Sequence, residues 1–249
     1  MNVLRSEFRK LFTTQTWFWL LLGSLVLNAL QVILVVANTH NQADYRDAIP
    51  GIFGGGVFGY VFMLVLGAIG ITAEFRHQTI TPTVLTTPSR GVVIGAKLLM
   101  YLVLGAVYAV LGIVLSLAIA LPWLSAKGLD VDLGSDGIVR AMVGTVIIFA
   151  LYAVLGVGFG ALVPNQAAAV TLPIIITVVI EPILSAIPYV RAAYPYFPSG
   201  SATALLVQNS DRFQDHYTLL VPVAGALVLL AWGVVLAMCG VYRMNKDIS

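Results

Sequence analysis

Six apolar runs, each at or beyond the length of a bilayer-crossing helix, take up most of this 249-residue chain. They extend roughly over Trp17 to Ala37, Gly51 to Ala73, Val92 to Leu121, Ile138 to Val163, Ala168 to Tyr189 and Thr218 to Val241. A helix of about 20 apolar residues covers the hydrocarbon core, so each run is predicted to cross once. The third run is longer than a crossing needs, which leaves room for tilt or for an extension past the bilayer. Only 10% of residues are charged, against about a quarter in soluble proteins, and no stretch between the runs is long enough for a separate soluble domain. The expected fold is an all-α polytopic membrane protein, one domain over residues 1–249. Its charged amino-terminal segment leads into a full-length span without a small-residue cleavage pattern, so the first helix is expected to be retained.

Lysine and arginine set the orientation. With the amino terminus in the cytoplasm, Arg5, Arg9, Lys10, Arg76, Arg90, Lys97, Arg243 and Lys246 lie inside, and the smaller set Arg46, Lys127, Arg140, Arg191 and Arg212 lies outside. Most of the acids, from Asp44 and Asp47 to Asp211 and Asp215, fall outside as well. Both termini are therefore predicted to be cytoplasmic, in the cell membrane of a bacterium. Trp17, Trp19, Trp123, Tyr189 and Tyr242 fall near the span ends, where amphipathic rings prefer to lie.

Three segments are not spans. Residues 2–14 place Leu4, Phe8, Leu11 and Phe12 on one helical face, with Arg5, Glu7, Arg9 and Lys10 around the rest. This pattern predicts an amphipathic interface helix on the cytoplasmic membrane surface, its apolar face in the headgroup boundary and its cations toward anionic lipid or a partner protein. A positive anchor that only fixes topology is the equally supported alternative. Residues 74–90 join the second and third spans, with threonines around Pro82 and a Thr87-Pro88-Ser89-Arg90 break. They predict a short helix lying flat between two spans, although the residues alone equally describe a polar cytoplasmic loop that only connects them. Residues 190–217 hold the aromatic and proline cluster Tyr194-Pro-Tyr-Phe-Pro198, then a short apolar stretch that Ser199 or Ser201 would cap as a helix of about two turns. Such a helix is too short to cross, and predicts a short outer re-entrant or interfacial element, with an ordinary outer loop carrying membrane-surface aromatics as the equally supported alternative.

The stretch Ile71-Thr72-x-Glu74-x-Arg76-x-x-Thr79, continuing through Leu85-x-Thr87-Pro88-x-Arg90 to Lys97-Leu98-Leu99, resembles the signature of ABC transporter permeases of the type 2, exporter class. The amphipathic first segment, the six spans and the long outer connection before the last span resemble the layout of the same family. The resemblance implies that the loop is a cytoplasmic coupling helix docking on a separate ATP-binding cassette subunit, with Glu74, Phe75, Arg76, Thr79, Ile80 and Leu85 as its contacts. Arg5, Phe8, Arg9 and Phe12 would form the interface helix. A second copy, or a related permease chain, would complete the membrane part, and the outer segment would form a cap over the path.

No GxxxxGK[ST] loop is present: Gly91-Val-Val-Ile-Gly-Ala-Lys97 lacks the Gly-Lys pair and the hydroxyl that binds magnesium. The chain is thus expected not to be an enzyme, and ATP and magnesium would belong to the partner subunit. His40, His77 and His216 show no ligand spacing, and the one cysteine, Cys239, lies within the last run, so neither a metal site nor an intrachain disulfide is expected. Cys239 is predicted to be a buried spectator. No nucleic-acid partner is expected; membrane lipid is.

Glu181, followed by Pro182, lies about 20 Å of helix rise into the fifth run, where an ionisable group must face protein or water. It is a candidate for the substrate path or for a structural pair. Ser24, Asn28 and Gln31 share a face of the first run, so Asn28 and Gln31 either line a path or hydrogen-bond between helices. The expected activity is export of an amphipathic drug, peptide or lipid. The alternative is a proton-coupled secondary transporter using Glu181, disfavoured because a single spanning acid is present and no inverted repeat is visible.

Overall fold

The computed structural model describes residues 14–76, 90–163, 165–207 and 218–246. These residues form helices throughout, and six helical segments are long and apolar enough to cross a membrane. In chain order they are α1 (Thr16–Ala37), α2 (Gln42–Phe53), α3 (Gly56–Arg76), α4 (Arg90–Ala126), α5 (Asp136–Leu162) and α6 (Gln166–Ile175). A π-helical turn (Ile176–Ile180) links α6 to α7 (Glu181–Ala186). A 3-10 turn (Arg191–Tyr196), α8 (Pro198–Leu206) and α9 (Pro222–Lys246) complete the chain. The six crossings alternate in direction. The end where α1 starts is called proximal, and the opposite end, which carries residues 38–41, 127–135, 187–207 and 218–221, distal.

Membrane helices gain little from excluding water from one another, so their packing rests on close contact and hydrogen bonds. Here α3 and α5 form the centre. Of the most apolar 18 residues, 76% are buried in the candidate span over Gln42–Ala73 and 72% in that over Asp136–Leu162, against 22% in Thr16–Ala37 and in Gln166–Ala186, which lie outermost. Glycine makes the central contact possible. A Cβ at Gly156 of α5 would overlap the Leu64 carbonyl of α3, and one at Gly160 would overlap the Ala68 carbonyl. The Gly156/Gly160 pair therefore packs within this chain. The core around it joins Met63, Leu64 and Ile71 of α3 with Met100 and Tyr108 of α4, Ile148, Tyr152 and Leu155 of α5 and Leu229 of α9. A second core at the distal end joins Val32 and Val36 of α1, Ile52 and Phe53 of α2, Leu124 of α4 and Ile138 of α5. Exposed side chains such as Trp19, Leu34, Val114, Val223 and Leu227 form the surface that lipid tails would meet.

Several boundaries differ from the sequence expectation, each for a local reason. Residues 42–50, expected in a loop, begin α2. Asn41 caps its start by accepting the Asp44 N–H at 2.8 Å, and Asp44 adds a favourable charge to the first turn. Gly55 and Gly56, both at φ 67°, then separate α2 from α3, in a backbone region that residues with a Cβ avoid. The third crossing runs past Leu121 and through Pro122 to Ala126. The fifth stops at Ala186 rather than Tyr189 and is interrupted by the π-helical turn. The sixth starts at Pro222, whose missing N–H costs nothing in a first turn. Cys239, expected to be buried, is exposed on α9.

Candidate functional site

The distal hairpin between the fifth and sixth crossings gathers the unusual chemistry. Pro182 has no N–H to give the backbone four residues earlier, and the chain just before it widens into the π-helical turn, closed by the Glu181 N–H on the Ile176 carbonyl. This geometry turns Glu181 into the protein, where it is 1% exposed. Its Oε2 accepts the backbone N–H of Ser199 at 2.6 Å, in the first turn of α8. A carboxylate from another helix thus does the work expected of a serine cap. Ser199 Oγ instead reaches toward the Thr177 carbonyl at 3.5 Å, and Ser201 Oγ donates to the Pro195 carbonyl at 3.0 Å.

The other end of α8 is held by a cation. Arg140 of α5 donates from Nη2 to the Ala204 carbonyl at 2.8 Å. A carboxyl at the first turn, when ionised, and a cation at the last both match the helix dipole. Trp232 of α9 adds a third tie, donating from Nε1 to the Tyr196 carbonyl at 2.9 Å. Tyr60 of α3, Tyr152 of α5 and Tyr194 of the 3-10 turn lie within electrostatic range of one another, and Glu181 interacts with both Tyr60 and Tyr152. The Tyr60 and Tyr152 rings are 4.4 Å apart between centroids.

The two polar residues of α1 bridge helices. Asn28 donates from Nδ2 to the Gly112 carbonyl at 3.0 Å and to Ser116 Oγ at 3.1 Å, both on α4. Gln31 donates to the Gly51 carbonyl of α2 at 3.0 Å. Ser24 Oγ bonds back to the Leu21 carbonyl of its own helix at 2.8 Å. Asn28, Gln31 and Glu181 do not form one cluster: the first two tie α1 to α4 and α2, and Glu181 belongs to the α8 hairpin.

Of the coupling residues, Glu74, Phe75 and Arg76 form the last turn of α3 at the proximal end. Thr79, Ile80 and Leu85 lie outside the described residues, as do Arg5, Phe8, Arg9 and Phe12 of the expected interface helix. Lys97, which the quoted stretch reaches, is buried about two turns into α4. Among the described residues no three His, Cys, Asp or Glu side chains gather as a metal site would require.

Two contacts escaped the sequence reading. Lys127, just past α4, donates to three carbonyls at the end of α1. Arg140 was read only as an outside charge. The usable signal for Arg140 was its position within the first turns of a span, where a cation needs a partner. No protein-family model matches the chain, and no curated protein matches it.

Proposed function

We propose that this chain is the membrane-spanning permease subunit of an ATP-driven exporter of the ABC type 2 class. It pairs with a second permease chain around a substrate path and docks a separate ATP-binding cassette subunit. The observation that carries this reading is the stretch from Ile71 to Leu99, with its Glu74, Arg76, Thr79, Pro88 and Arg90 spacing, in a chain with six candidate crossings. The helical ends support it as well. Glu74 to Arg76 close α3 at the end where α4 begins, the same end at which α1 starts and α9 ends. With that side in the cytoplasm of a bacterial cell, closure of the ATP-binding subunit would be passed to α3 and α4 as a rigid-body movement. The cargo is an amphipathic drug, peptide or lipid.

Glu74→Ala and Arg76→Ala variants test the docking role. Each is expected to insert normally and to abolish the ATP hydrolysis that the permease stimulates in its partner subunit. Unchanged stimulation in both variants would overturn it.

A further inference from the structure

Glu181 uses one of its two oxygens. Oε2 holds the Ser199 N–H, while Oε1 is buried with no hydrogen-bond partner among the described residues. The Tyr152 hydroxyl, in the same cluster, is also buried and interacts with the Ser199 side chain. Buried polar atoms are almost always satisfied, so a spare acceptor on a buried membrane carboxyl leaves a position at which a proton can bind. The group lies less than two turns from the exposed distal surface, which begins near Ile187 and includes Tyr189 at 97% exposure.

We propose that the Glu181 carboxyl is a proton-binding latch on α8. Ionised, it makes a charge-assisted bond to the first turn of α8 and complements the helix dipole. Taking a proton from the distal side at Oε1 leaves the Ser199 contact in place but removes its charge. The bond to Ser199 is then weaker, so the first turn of α8 opens more readily while Arg140 still holds its far end. One O–H bond forms, and no other bond is made or broken.

Among the described residues the titratable groups interacting with Glu181 are the phenols of Tyr60 on α3 and Tyr152 on α5, and Tyr194 on the 3-10 turn interacts with both. α6, the π-helical turn and α8 contribute none. Arg191, at the start of the 3-10 turn, is partly exposed, and Arg140 is engaged on Ala204. Glu181 is therefore the one carboxyl of the cluster, and a carboxyl ordinarily titrates well below a phenol. The latch operates whether or not ATP drives the chain, because it needs no proton to cross the membrane.

The test is hydrogen–deuterium exchange of the full chain in lipid nanodiscs over a pH series, corrected for intrinsic exchange. Amides of residues 199–206 are expected to lose about tenfold in protection as the pH falls, the scale of a charge at a helix end. Glu181→Gln, which keeps an acceptor but cannot titrate, is expected to show a pH-independent protection. Wild-type protection that does not change with pH, or the same pH response in Glu181→Gln, would overturn the proposal. Should Glu181→Gln not fold, Glu181→Asp decides. Its carboxyl is drawn back by one methylene, so protection is expected to be lower at neutral pH and still pH-dependent; a pH-independent Glu181→Asp overturns the latch.

Discussion

Lys127 Nζ sits on the last turn of α1, donating to the Val36 carbonyl at 2.6 Å across 91 residues of sequence. It also donates to the Ala37 and Thr39 carbonyls at 3.0 and 2.7 Å, and lies 5.8 Å from the centroid of the Trp123 ring. Carbonyls at a helix end have no partner within the helix, and a cation there suits the dipole. Lys127→Met is expected to cost about 2 kcal/mol, the scale of hydrogen bonds to a charged group. Thermal unfolding in detergent measures it, and a variant as stable as the parent would contradict the tie.

Asn28 joins α1 to α4 through two hydrogen bonds. Interhelical side-chain bonds in membranes are worth about 0.6 kcal/mol on average and seldom above about 1.7. Asn28→Leu is therefore expected to lower stability by about 1 kcal/mol and to leave transport largely intact. The pattern to look for against this is a variant of unchanged stability that no longer transports, which would put Asn28 in the path.

Gly156 and Gly95 form a matched pair. Gly156 touches the α3 backbone, whereas a Cβ at Gly95 would meet nothing within 4 Å. Gly156→Leu is expected to lose about 3 kcal/mol or more, the upper range of overpacking, and Gly95→Ala to be neutral or stabilising by about 1 kcal/mol. Equal effects of the two in an unfolding assay would remove the close α3–α5 contact from the account.

The crossings were legible because a bilayer demands a long apolar run and the sequence carries little else. α2 was not, since Gln42 to Asp47 is polar and Pro50-Gly51 reads as a break; Asn41 followed by Asp44 was the missed cap signal. The π-helical turn has no sequence marker beyond Pro182. Residue identity alone singled out Glu181, but its partner was beyond reach: Ser199 lies 18 positions away and meets it only once the hairpin folds back. The same holds for Arg140 and Ala204, separated by 64 positions. Local rules describe a helix and its caps, whereas these contacts depend on how three crossings pack.

Purification of the tagged chain from its native membrane in mild detergent, with mass spectrometry of what accompanies it in fixed ratio, tests the exporter reading most directly. The account predicts a stoichiometric ATP-binding cassette subunit together with a second permease copy or a related permease chain. An otherwise intact complex that reproducibly lacks any ATP-binding subunit would contradict it.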